Sequence, residues 1–213
     1  MPYFRKQHIL FIHIPKTGGS TINHYFKKKD TIELFTVKQI FSNIDNNLLP
    51  KPYNLISLQH QTYNTLFKFR EKLNIKFDEN LKIISCVRNP YTRIISDLFF
   101  LGLIKTTNCK LFVYKMIIRY LKKKNIDNHN VPQYEYLIDE SGNLIKNLKL
   151  FKLETLDEDL KNYGFNINKK DNINVSNIDK KTYFRYLSND SIKLINEFYK
   201  KDFEMFNYEM ISI

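Results

Sequence analysis

Phe11-Ile12-His13-Ile14-Pro15-Lys16-Thr17-Gly18-Gly19-Ser20-Thr21 is the stretch on which the reading of this chain turns. It begins inside an apolar run, residues 8–14, that reads as a buried strand. It ends where a helical pattern over 19–28 begins, with Ile22, Tyr25 and Phe26 on one face. Strand, glycine-containing loop and helix together make the geometry of a phosphate cradle. The glycines let the backbone approach an anion closely, and the N–H groups of the new helix point at it. Lys16 adds a point cation; the hydroxyls of Thr17, Ser20 and Thr21 add donors. The common nucleotide loop, G-x-x-x-x-G-K-(S/T), places its lysine after the glycines. Here Lys16 precedes Gly18-Gly19, so the stretch reads as phosphate-binding without reading as an ordinary NTPase.

A second stretch has the same form. Ile83-Ile84-Ser85-Cys86-Val87 reads as a strand, Arg88-Asn89 as a turn, and Pro90 onward as a helix over 90–101. Pro90 suits a first helical turn, where its missing N–H leaves no bond unmade, and Gly102 suits the end. Taken together, the two stretches resemble the PAPS-dependent sulfotransferases, in particular the carbohydrate O-sulfotransferase branch of the heparan sulfate 2-O- and chondroitin type. That family carries a P-K-(T/S)-G-(G/T)-(S/T)-(S/T) loop for the 5′-phosphosulfate. A later V-R-(D/N)-P-x-x-R-x-x-S segment holds the 3′-phosphate. Both patterns occur here in the same order, and Asp202 to Tyr208 is similar to the usual ending of the family.

The resemblance implies a donor, 3′-phosphoadenosine 5′-phosphosulfate, with adenosine 3′,5′-bisphosphate as product and no metal. It implies that Pro15, Lys16, Thr17, Gly18, Gly19, Ser20 and Thr21 hold the 5′ end, and that Arg88 and Ser96 hold the 3′-phosphate, with Arg93 as a possible helper. Lys16 would also act in catalysis by stabilising charge on the departing oxygen. In relatives a histidine follows the strand before the 3′-phosphate motif. His60 fits that place, and neutral imidazole suits a general base. Asn128 to Tyr134 resembles an H-x-x-P-Q element that lines the acceptor side, which implies His129 and Gln133 as acceptor contacts. Glu154 resembles a family element that caps a helix or braces the site, and Asn174 to Asn177 sits where relatives close over the nucleotide. The implied acceptor is a hydroxyl, with a carbohydrate favoured.

Bulk properties bound these expectations. A length of 213 residues reads as one domain, 1–213, able to bury a core. Hydrophobic residues at 43% and aromatic residues at 15% exclude a disordered chain. The net charge of +12 invites a polyanion partner, but only six of the 34 basic residues are arginine. Scattered lysines favour a solvated face over a nucleic-acid groove. Two rival readings follow: a P-loop-like kinase or NTPase, and a non-catalytic basic module for polyanions. Against the first, no Asp or Glu closes the apolar runs 53–59 or 81–87. No His, Cys, Asp or Glu cluster shows metal-ligand spacing. Two cysteines, one in a buried strand, argue against a disulfide framework. No apolar run approaches the ~20 residues of a membrane span and none resembles a signal peptide, so a soluble cytoplasmic protein is expected.

Strands are expected at 8–14, 31–37, 53–59, 81–87 and 148–153. Helices are expected at 19–28, 62–73, 90–101, 109–124, 155–163, 180–187 and 190–201, and a loop over 165–180. Alternation of the two predicts an α/β fold with a central parallel sheet flanked by helices, P-loop-like in plan. Lys16, His60 and Arg88 then each follow a strand and meet at one sheet edge, where such folds bind ligands. His13 is expected in the core or beneath the loop, and His24 on the surface.

Overall fold

Residues 9–12 and 82–87 are apolar almost without interruption, which is the signature of strands buried on both faces. In the computed structural model, which describes residues 3–25, 47–124, 126–164 and 180–213, they form the centre of the sheet. Strand β1 (Tyr3–Phe4) pairs antiparallel with β2 (Ile9–Ile12). Strand β2 runs parallel to β3 (Lys82–Val87), with Ile9 opposite Lys82 and Ile12 opposite Ser85. Strand β3 runs parallel to β4 (Leu148–Lys152), with Ile83 opposite Leu148 and Val87 opposite Lys152. The sheet is therefore mixed, in the order β1-β2-β3-β4. Only the short β1 departs from the parallel arrangement that the alternation of elements predicts.

Side chains alternate across the strands, so the sheet feeds two cores. Leu10, Ile12, Ile83 and Val87 pack on one face with Leu66, Tyr136, Leu137 and Phe206. Ile9, Phe11, Ile84 and Cys86 pack on the other with Ile22, Phe151, Leu156 and Leu160. Ser85, the polar member of β3, donates its hydroxyl to Ile12 O at 2.7 Å. That bond satisfies a buried hydroxyl at the top of the sheet.

Helix α1 (Gly19–Tyr25) follows β2. The other described helices are α2 (Tyr63–Lys68), α3 (Pro90–Phe100), α4 (Lys110–Lys122), α5 (Gln133–Leu137), α6 (Leu156–Asn162), α7 (Asn189–Phe198) and α8 (Lys200–Phe206). Asn89 caps α3 by accepting from Tyr91 N–H at 3.0 Å, with Pro90 in the first turn as its sequence predicts. Residues 90–98 of α3 are buried throughout. A third core joins α3, α4, α7 and α8 through Ile95, Leu98, Val113, Ile117, Ile195 and Phe203.

The expected strand 53–59 is absent. Tyr53–Leu55 and Leu58–His60 are 3-10 turns instead. Side chains supply partners that a sheet neighbour would have supplied. Gln61 Nε2 donates to Tyr53 O and Ile56 O at 3.0 and 2.9 Å, and Ser57 N–H donates to Asp127 at 2.6 Å. The region 180–186 is 3-10 rather than α, and the expected helix 190–201 breaks into α7 and α8. The expected strand 31–37, the side chain of His24 and the loop 165–179 with Asn174 to Asn177 lie outside the described residues.

Candidate active site

The loop from His13 to Thr21 leaves the C-terminal end of β2 and is held from below and from the side. Lys16 sits at φ 65 and Gly18 at φ 91, two left-handed positions that turn the chain sharply. A Cβ on Gly18 would lie 2.7 Å from Leu153 Cδ1, and one on Gly19 would lie 1.9 Å from His13 Nε2. The second glycine therefore lets the loop rest directly on the His13 ring. Thr17 is fully buried and donates its hydroxyl to Ile14 O at 2.8 Å, which fixes the turn. That commits the Thr17 hydroxyl proton to the loop and leaves its backbone for a ligand. Ser20 is half-buried and Thr21 buried at the start of α1.

Arg88, buried at 5% exposure, ties the second stretch to the first. Its Nη1 donates to Lys16 O at 3.1 Å, its Nε to Thr92 Oγ1 at 2.9 Å, and its guanidinium lies 5.3 Å from the Tyr183 ring centre. Ser96, two turns further along α3, is buried and makes no side-chain hydrogen bond to the described residues. Arg93 serves the backbone. Its Nε donates to Pro15 O at 3.2 Å, Nη1 to Val131 O at 2.9 Å and Nη2 to His129 O at 2.8 Å. One buried guanidinium thus fastens the loop to the 129–131 segment.

Three imidazoles lie beneath this assembly. The His13 ring is 5.0 Å from His60, and His60 is 5.1 Å from His129 at 88°. The Phe100 ring stacks on His129 at 5.7 Å and carries the Lys16 ammonium 4.0 Å from its centre. Two of the imidazoles are paired with carboxylates. His60 Nδ1 meets Asp127 Oδ2 at 2.7 Å, and His129 Nδ1 meets Asp97 Oδ1 at 2.7 Å. An ionised carboxylate only accepts, so both rings donate from Nδ1 and leave Nε2 as the basic nitrogen. Asp127 is in turn held by Ser57 N–H at 2.6 Å and Ser57 Oγ–H at 2.8 Å, and Asp97 accepts from Tyr120 OH.

Burial sets the titration of these groups. It pushes His13 well below the ordinary imidazole range, with His60 and His129 adding repulsion. It also lowers His60, although Asp127 pulls the other way. Burial alone would raise Asp127 and Asp97, but the facing histidines and their hydrogen bonds hold both below the usual carboxylate range. Lys16 is lowered by burial, with Asp97 opposing and Arg88 assisting.

The structure thus brings together Pro15 to Thr21, Arg88, His60 and His129. It does not leave Gln133 free for an acceptor. That side chain is fully buried, accepts from Arg88 N–H at 2.9 Å, and donates to Arg88 O at 2.8 Å and to Asp202 at 3.3 Å. Both ends of the amide are committed, so Gln133 braces the arginine turn. Glu154 braces the same turn by accepting from Asn89 N–H at 2.9 Å. Asp97 and Asp127 escape sequence reading. Asp97 follows the motif serine by one residue, and Asp127 precedes His129 by two, at a left-handed φ of 54. A close acidic neighbour of each motif residue was the available signal. Spacing along the sequence shows no metal-ligand cluster, but the fold brings donor atoms of His60, Asp127 and His129 within 4.8 Å of one another.

The fold and site define an α/β protein whose polar groups gather at the C-terminal edge of its two central strands, where such sheets bind ligands. The chain belongs to the sulfotransferase family, which it matches over residues 3–209. No curated protein and no solved structure matches it. Membership makes it a transferase of sulfuryl groups. No described helix is long and apolar enough to cross a membrane.

Proposed function

We propose that the protein moves the sulfuryl group of 3′-phosphoadenosine 5′-phosphosulfate to a hydroxyl of a carbohydrate, with His60 as general base. The observation that carries this reading is adjacency. The His13 ring fills the space under Gly19 and is one ring away from His60. A donor held in the Lys16–Thr21 loop would therefore present its sulfur beside a basic imidazole.

In the proposed transfer the acceptor hydroxyl attacks sulfur in line with the bond to the phosphate oxygen. One S–O bond forms as the other breaks, and adenosine 3′,5′-bisphosphate departs. The hydroxyl proton passes to His60 Nε2. Asp127, ionised and bonded to Nδ1, stabilises the imidazolium that results. The lowered pKa of His60 keeps the ring neutral before the step. Lys16 offsets charge on the departing oxygen, and the Gly18-Gly19 backbone takes the 5′-phosphate. Arg88 and Ser96 take the 3′-phosphate, with the arginine pre-positioned by its bonds to Lys16 O and Thr92. These cations supply the positive charge that such transfers need, so the proposed chemistry requires no metal. His129, whose Nε2 has no hydrogen-bond partner among the described residues, would supply the second basic nitrogen on the acceptor side.

The test separates binding from chemistry. His60→Ala is expected to reduce sulfate transfer from labelled donor to a glycan panel by about 10²–10⁴-fold. Affinity for adenosine 3′,5′-bisphosphate should stay within a few fold. Near wild-type turnover in that variant would move the base elsewhere. Lys16→Ala and Arg88→Ala should weaken nucleotide binding as well as rate, because both groups would touch the donor in the ground state.

A further inference from the structure

The histidine cluster carries more than a base. One nitrogen of His60, one of His129 and one oxygen of Asp127 lie within 4.8 Å of one another, and all three side chains are buried. We propose that these three residues bind a single divalent transition-metal ion of the zinc type, and that the bound ion holds the enzyme inactive by occupying the imidazoles. The binding site stands on its own geometry; its inhibitory effect rests on the reading of His60 as the base.

The donor set selects the class of ion. Two imidazoles and one carboxylate suit zinc, nickel and copper, whereas magnesium and calcium prefer all-oxygen sites. Tetrahedral zinc at its usual bond lengths places its donors about 3.3 Å apart. The His60–Asp127 pair stands at 2.7 Å as a hydrogen bond, and the third donor is inside 4.8 Å. Small side-chain rotations therefore bring all three to one ion. Where His60 ligates through Nδ1, the proton it shares with Asp127 leaves to solvent and the ion takes its place.

A second, independent observation points to a ligand. His129 Nε2 is buried and has no hydrogen-bond partner among the described residues, while Nδ1 of the same ring is committed to Asp97. Buried polar atoms are ordinarily satisfied, so this lone pair is available to an ion. The surroundings also have the form of a metal site's outer shell, in which a ligating histidine donates its other N–H to a carboxylate. Asp97 does this for His129, and Ser57 orients Asp127 through two hydrogen bonds. His13 borders the cluster with its own buried Nδ1, unpartnered among the described residues. Three protein ligands leave a fourth position for water.

The experiment uses the full chain, stripped with chelator and titrated with cobalt(II) and then zinc(II), without donor or acceptor. Its failure therefore leaves the sulfotransfer reading untouched, and loss of that reading leaves this site untouched. The expected results are one ion per chain by calorimetry and the visible bands of four-coordinate cobalt. His129→Ala and Asp127→Ala should abolish both. Asp97→Asn keeps every ligand and should weaken binding about 10–100-fold. In assays with donor and acceptor, stoichiometric zinc should stop turnover and chelator should restore it. Absence of the cobalt bands overturns the site. So does a thiolate charge-transfer band, which would place the ion on exposed Cys109. If the alanine variants do not fold, Asp97→Asn decides, and affinity unchanged there overturns the proposal.

Discussion

At Gly19 the chain passes so close to His13 that a single methyl group would collide with the ring at 1.9 Å. The glycine of the motif is needed here for approach, not for a left-handed φ. Gly19→Ala is expected to lose roughly 1–3 kcal/mol in urea unfolding, the usual cost of overpacking. Removing the obstacle should rescue part of that loss. In a double-mutant cycle with His13→Ala, the two changes should couple by about 0.5–3 kcal/mol. Additive losses would mean that the loop does not rest on the ring. The next residue pair, His60 and Asp127, makes a prediction about pH. Neutral His60 is the proposed active form, and burial lowers its pKa despite the carboxylate. The acid limb of the rate profile should therefore fall below the ordinary imidazole value of about 6.5. Asp127→Asn removes the influence that raises this pKa, so the limb should move further toward acid while the plateau rate drops. A limb that moved toward neutrality would contradict this arrangement. The motif residues of the site were legible in the sequence because short spacings preserve them. Asp127 was not, because it reaches His60 across 67 positions of chain and only the fold closes that gap.

Among the elements, α8 and α5 show how a distant carboxylate can steady the Arg88 turn. Proline at position 132 gives α5 no side-chain cap of its own. Asp202 on α8 supplies one, accepting from Gln133 N–H and Tyr134 N–H at 2.9 Å each. Gln133 then holds both backbone groups of Arg88. Asp202→Ala would leave these buried donors unmatched, at roughly 1.5–3 kcal/mol for each charged bond lost. Chemical unfolding should report that loss, and calorimetry should show weaker nucleotide affinity through the loosened Arg88 turn. Full stability with unchanged affinity would show that α8 does not support the site. The same scale explains what the sequence made plain. Strands β2 and β3 and helix α3 announce themselves through apolar runs and through Asn89-Pro90, signals that are local. Residues 53–60 show an apolar rhythm but fold as 3-10 turns, because buried Gln61 and Asp127 satisfy their backbone from outside the segment. Helix α5 is equally hidden: its cap lies 69 residues downstream in the chain.

Taken as a whole molecule, the protein carries a net charge of +12 and a core of histidines that burial keeps neutral. The charge would help draw the proposed anionic donor from solution, an effect that salt reduces over a Debye length of about 8–10 Å. The histidines bear on stability, and the sign follows from linkage. His13 and His60 have folded-state pKa values below the unfolded value. Such groups contribute stability that is fully present above about pH 6.5. As pH falls, the unfolded chain takes up protons that the folded chain refuses, and stability drops at up to about 1.4 kcal/mol per pH unit for each such group. Asp97 and Asp127 extend the loss to lower pH. Their lowered values favour the fold above the ordinary carboxylate range of about 3.9 and cease to do so as pH falls through the folded values. Urea midpoints should therefore decline from about pH 6.5 downward, before carboxylates begin to titrate in the unfolded chain. His13→Gln removes the most strongly lowered group and should flatten the decline below about pH 6.5. A profile that stays level to pH 5 in the wild type would show that the folded chain takes up the same protons as the unfolded one, and that burial does not lower these two histidines.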